Sequence, residues 1–200
     1  MLKRILPAIF CLTGSLRAAE VDAWPQFRGP QASGVAQAVA LPVEWDVKSG
    51  KNIRWQTPIP GLAHAAPIVW DDRAYVVTAV YPGQKEPKLG LYGEIEPVDE
   101  KAAVQWRLLA LNKATGEVTW NVAGHEAVPR VKRHPKATHA NSTPATDGDH
   151  IVAIFGSEGL FCFDREGKLL WKRDLGPMDS AISGGTLFFR SQTKLIAIGQ

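Results

Sequence analysis

Two stretches of the chain share one frame of apolar, turn and aromatic positions, and this internal repeat limits the fold more than any other feature. Leu109-Ala110-Leu111-Asn112, a turn closing at Gly116 and an outgoing run to Trp120 align with Phe161-Cys162-Phe163-Asp164, a turn closing at Gly167 and a run to Trp171. Each copy reads as a β-hairpin. The Asn or Asp side chain bonds the turn backbone, and the glycine takes the positive φ that other residues resist. The tryptophan ending the outgoing strand is placed to wedge against a neighbouring sheet. A second frame precedes each hairpin. Residues 66–77 match 143–154 and return as 180–189, each a short strand, a polar turn and a strongly apolar strand. Joined, the frames give four-stranded units ending in Trp, and the 51 residues from Trp120 to Trp171 fit the spacing of propeller blades.

Composition points the same way. Eighteen Gly, 14 Pro and seven Trp in 200 residues suit many short strands with frequent turns, where a helical bundle carries fewer breakers. The 45% hydrophobic and 22% charged content excludes a disordered chain or a multi-span membrane protein. The expected fold is all-β.

Residues 1–19 read as a secretory signal peptide: Lys3 and Arg4, a mostly apolar run over 5–16, then Ala18-Ala19 for cleavage. That run is too short to span a bilayer, which takes about 20 residues. Bulky Phe10 before Cys11 is a poor fit for lipid attachment, so Cys11 belongs to the discarded leader. Its removal leaves 20 basic against 20 acidic residues and a near-neutral mature chain. No global attraction to nucleic acid or anionic membrane follows. The mature chain keeps only Cys162, which excludes an internal disulfide and a cysteine zinc site; flanked by Phe161 and Phe163, its thiol is expected to be packed and inert.

The frame of an apolar strand, Asn or Asp, a Gly turn and Trp, preceded by Thr143-Pro144-Ala145-Thr146-Asp147-Gly148, resembles the PQQ-like (pyrroloquinoline-quinone-like) β-propeller repeat. That repeat occurs in quinoprotein dehydrogenases and in non-enzymatic relatives such as the outer-membrane assembly lipoprotein BamB. Trp24-Pro25-Gln26-Phe27-Arg28-Gly29-Pro30, Leu41-Pro42 and Trp45 resemble the start of exported PQQ-like repeat proteins, and 133–144 and 155–160 resemble their internal blocks. The resemblance covers 24–200. It implies a propeller; it does not imply an activity or the cofactor.

The resulting organisation is a signal peptide (1–19), an N-terminal extended segment (20–51) and a repeat domain (52–200), with blades near 64–120, 139–171 and 180–198, the last completed by a strand at 52–56. About three blades are present, whereas closed propellers use about 4–8. The chain is therefore expected to be a partial propeller, an incomplete form of one with seven or eight blades. Its middle blades are missing at a junction near 177–181. An open arc leaves apolar strand edges exposed and predicts self-association.

The richest polar stretch, 130–141, carries Arg130, Lys132, Arg133, His134, Lys136, His139 and Asn141. Two readings stand. Arg133, His134, His139 and Asn141 form an anion or partner site on one propeller face, or the loop is solvated and its side chains cap local backbone. His134 and His139, five apart on an irregular segment, make poor metal ligands. Glu94, Glu96, Asp99 and Glu100 show no calcium-loop spacing. Residues 98–105 carry helix formers for a turn or two before a strand over 106–111. Trp55, Gly116, Trp120, Gly167 and Trp171 are read as blade-packing residues, and Glu158 and Asp164 as turn residues.

No catalytic residue is assigned: Ser142, Ser157 and the five His show no hydrolase spacing. The resemblance to quinoproteins implies a quinone held between a Trp floor and an adjacent-cysteine disulfide, with calcium and an Asp base. This chain has no Cys-Cys pair. The reading is an exported, non-catalytic binding or scaffolding module, contacting a protein partner or small ligand, with no cofactor. The alternative is a quinoprotein-type oxidoreductase or a fragment of one, taking PQQ and calcium.

Overall fold

The computed structural model describes residues 22–36, 40–83 and 97–175, together with the backbone of three further strands between 179 and 198. The leader, Glu94, Glu96 and positions 177 and 178 of the expected junction lie outside the described residues.

Twelve strands and two short 3₁₀ turns make up the described elements, and none is an α-helix. The first sheet contains β1 (Ala23–Trp24), β2 (Ile68–Trp70), β3 (Arg73–Val80), β4 (Val104–Asn112) and β5 (Val118–Ala127), in that order. The second contains β6 (Ala145–Thr146), β7 (His150–Ile154), β8 (Leu160–Asp164) and β9 (Leu169–Arg173). The third is β10 (Asp179–Ser183), β11 (Thr186–Arg190) and β12 (Leu195–Ile198). All pairings are antiparallel between neighbours, the meander of a propeller blade. The fold is an all-β partial propeller of three open sheets.

Register explains how the sheets pack. Tyr75 lies opposite Ala110, Val77 opposite Leu108 and Ala79 opposite Trp106, so strand alternation puts all six on one face of the first sheet. In the second, Ile151 opposes Phe163 and Ala153 opposes Phe161. These two faces form one buried cluster with Ile68, Val104 and Phe155. Gly124 in β5 makes the approach possible, because a Cβ there meets the Phe163 ring at 2.6 Å.

The hairpin turns follow the side-chain chemistry of the sequence. Asn112 Oδ1 accepts from the Ala114 and Thr115 amides, and Asp164 Oδ1 from those of Glu166 and Lys168. Gly116 (φ 75°) and Gly167 (φ 85°) close them. Each glycine lies under an indole from the preceding part of the chain. The Trp120 ring comes within 2.9 Å of a Cβ built on Gly167, and the Trp55 ring is closer still to one built on Gly116. The indole N–H groups complete the seats: Trp55 Nε1 donates to the Lys113 carbonyl and Trp120 Nε1 to that of Arg165, each at 3.0 Å.

Two expectations need correction. Residues 52–56 form no strand on the third sheet, whose described ladders end at β12; the pull of Trp55 towards Gly116 fixes that segment against the first sheet instead. Residues 98–103 form no helix, because Val98 and Arg133 exchange backbone hydrogen bonds (2.8 and 3.0 Å) that a helical turn cannot make. Glu158 does lie in a turn, the 3₁₀ turn Gly156–Glu158, with its side chain 1% exposed. The structure also adds β1, whose flanks join the sheets: Asp22 O accepts from Asp71 N, and Pro25 O from Thr146 N.

Candidate functional site

Two polar groupings meet where the end of β5, the loop 128–144 and the 3₁₀ turn converge. The first centres on Glu158. Its Oε1 accepts from Ser157 Oγ (2.8 Å) and from the Arg130 backbone N–H (3.1 Å). Its Oε2 faces His125 Nε2 at 3.4 Å and Arg130 Nε at 3.5 Å, but makes no hydrogen bond of good geometry. Arg130 also pairs with Asp174 at 2.7 Å, and that carboxylate is the main reason its guanidinium holds its proton more tightly than usual. His125 stacks on Trp106, ring centroids 5.3 Å apart.

The second grouping surrounds His139. Its backbone N–H donates to Tyr81 Oη (3.1 Å), and its carbonyl accepts from Trp106 Nε1 (3.0 Å). Its ring is buried 6.0 Å from that of Trp106, with Nε2 lacking a hydrogen-bond partner. Trp106 therefore touches both imidazoles. Burial, reinforced by Arg133, lowers the His139 pKa, and burial raises that of Tyr81. Both side chains stay neutral at pH 7.

The four candidate binding residues do not converge on one open site. Arg133 pairs with Glu100 (2.9 Å), donates to the Pro135 and Ala137 carbonyls, and stacks over Tyr81. His134 Nδ1 accepts from the Lys136 amide, and Asn141 Oδ1 from the Thr138 amide and hydroxyl. These contacts tie the loop to itself. His125 was not singled out from the sequence, since one imidazole in a polar outgoing strand carries no local signal.

The cluster places the Glu158 carboxyl group between the His125 imidazole and the Arg130 guanidinium. Ser157 donates to a carboxylate and not to an imidazole, so its hydroxyl is not activated as a nucleophile. Among the described residues, no three His, Cys, Asp or Glu side chains gather closely enough to hold a metal. Burial raises the Cys162 thiol pKa, which makes it a poor nucleophile.

His139 gives stability a pH dependence. Its folded pKa lies below its unfolded value of about 6.5, so the unfolded chain takes up the proton first. Its contribution is complete above that value and declines as the pH falls towards the folded pKa. The melting temperature is expected to drop by a few degrees more between pH 7.5 and 5 in the wild type than in His139→Leu. Parallel pH curves from calorimetry contradict this.

The family model described as outer membrane protein assembly factor BamB matches residues 31–198. No curated protein matches the chain.

Proposed function

The chain belongs to this BamB-like family of PQQ-repeat proteins, and from that membership we propose that it is an exported, non-catalytic binding or scaffolding module. The observation that carries the reading is the inward direction of its polar groups. Arg133 is engaged by Glu100 and two carbonyls, and Glu158 by Ser157 and Arg130, within a loop that staples itself together. The chemistry left outside is a sheet edge and apolar side chains: all five residues of β9 are exposed, as are Leu41, Val43 and Trp45. Surfaces of that kind suit protein contact. No helix among the described residues is long and apolar enough to cross a membrane.

The test has two arms. Full-length protein made in a Gram-negative host is expected in the periplasmic fraction, shortened by about 19 residues by mass; uncleaved cytosolic protein overturns the exported role. Purified protein titrated with PQQ and calcium is expected to show no change in tryptophan emission beyond that of free indole controls. Saturable one-to-one quenching at micromolar quinone favours the quinoprotein reading.

A further inference from the structure

Gly50 ends a third turn of the same construction. Asp46 N–H donates to Lys51 O (3.1 Å), as Asn112 N–H does to Glu117 O (2.8 Å) and Asp164 N–H to Lys168 O (3.0 Å). Asp46 Oδ1 accepts from Ser49 N at 2.6 Å, matching the role of Asn112 and Asp164, and the Ser49 hydroxyl, followed by this amide, lowers its pKa. Gly50 has φ 76°, against 75° and 85° in the other two. One thing differs. A Cβ on Gly116 or Gly167 collides with an indole, whereas one on Gly50 meets nothing within 4 Å. The seat is built and empty.

The complementary part is also present. Trp171 lies opposite Cys162 in the second sheet as Trp120 lies opposite Ala110 in the first. Trp120 is seated on Gly167, but Trp171 is 39% exposed beside exposed Leu169 and Leu170. Among the described residues, an indole seated on no glycine turn and a glycine turn under no indole thus occur in one chain. Joined to each other, they would close a ring of only the three described sheets, below the smallest propeller of about four.

We propose that a second copy of this chain supplies the partner: Trp171 of each copy docks on the Gly50 turn of the other, head to tail. Two such contacts close a six-sheet ring, within the range of known propellers. The acceptor for Trp171 Nε1 is the Val47 carbonyl, which follows Asp46 as Lys113 follows Asn112 and Arg165 follows Asp164. It already accepts from Gln56 Nε2 at 3.2 Å. The Arg165 carbonyl shows that one such oxygen serves two donors, since it takes both Trp120 Nε1 and Arg73 Nη1. Beside the empty seat lies an open hollow of about 400 Å³, lined by Val43, Glu44, Trp45, Asp46 and Lys51. Trp45 is 66% exposed there and ready to be covered. Docking also brings the partner's 51–55 segment alongside β12, the open edge of the three-stranded sheet. The association holds whether or not the module binds another protein.

The experiment is sedimentation equilibrium on the full chain and its variants, with the melting temperature recorded for each. The wild type is expected to be a dimer at micromolar concentration. Trp171→Ala and Gly50→Val are each expected to weaken it by a factor of about 100 or more, as for a buried tryptophan anchor at an interface. Trp171→Ala at low concentration melts like the wild-type monomer, because the indole is undocked there. A mixture of the two variants restores one of the two contacts and dimerises more tightly than either alone. A wild type that stays monomeric at 100 μM (about the upper end of practical concentrations), or a dimer that neither variant weakens, overturns the proposal.

Discussion

Replacing Gly116 with alanine is expected to lower stability by about 3 kcal/mol, of which about 1–2 is the cost of a left-handed backbone at a non-glycine residue. The remainder comes from the indole. The new methyl occupies the space of the Trp55 ring, which must lift away and surrender its hydrogen bond to Lys113. Gly83 is the control: its φ of 65° is similar, and a Cβ there meets nothing within 4 Å. Gly83→Ala should therefore show the backbone cost alone. A double-mutant cycle separates the parts further. In a Trp55→Ala background the Gly116 substitution should fall to the Gly83 value, a coupling of about 1–2 kcal/mol. The melting temperature of the Gly116 variant drops by about 6–12 °C at the slope usual for a chain of this size. Equal costs at Gly116 and Gly83 in urea titrations refute the seating of Trp55 as an energetic contact.

These seats recur because each sheet of an open meander has one face its own strands cannot cover. An indole reaching from the end of one strand to the turn of the following sheet bridges that gap, and only glycine leaves room for it. Charged neighbours reinforce the junction between the first two sheets, with Arg73 near Glu166 (4.0 Å) and Arg165 near Asp72 (3.7 Å). With their carboxylates exposed to solvent and their separations long, these pairs contribute little. Indole packing is the larger effect.

What was legible in the sequence follows from this division between local and long-range contacts. The hairpins at Asn112–Gly116 and Asp164–Gly167 could be read because Asn or Asp, Gly and Trp recur at fixed short spacing, and their turn bonds span two to four residues. The seat of each indole could not. Trp55 meets Lys113 across 58 positions and Trp120 meets Arg165 across 45, distances at which no spacing rule operates. The turn at Gly50 escaped notice because Trp55 follows it by five residues instead of four. β1 is two residues long, too short for any alternation to register. At the polar cluster, the loop's charges drew attention to Arg133 and His134, which bind their own backbone surroundings. Glu158, in a Gly-Ser-Glu-Gly run that looks solvated, is buried by contacts with β5 and the loop that only the fold brings near.

Trp106 is where the core and that polar cluster meet, and its removal should be the most damaging single change. The side chain is fully buried, its N–H donates to the His139 carbonyl at 3.0 Å, and its ring touches both His125 and His139. Trp106→Ala forfeits about 3–5 kcal/mol of burial and cavity energy and leaves the His139 carbonyl without its donor. Against a total stability of about 5–15 kcal/mol, the variant is expected to be unfolded or nearly so at 37 °C. Trp106→Phe separates the two causes: most of the apolar contact survives, while the orphaned carbonyl alone costs about 1–3 kcal/mol. Urea midpoints followed by far-UV circular dichroism should therefore rank wild type, Phe and Ala in descending order, with the Phe variant still cooperative. If alanine costs less than phenylalanine does, the face built from Tyr75, Val77, Ala79, Trp106, Leu108 and Ala110 is not the contact surface between the first two sheets. The alignment of blades that the Gly167 seat depends on then fails with it.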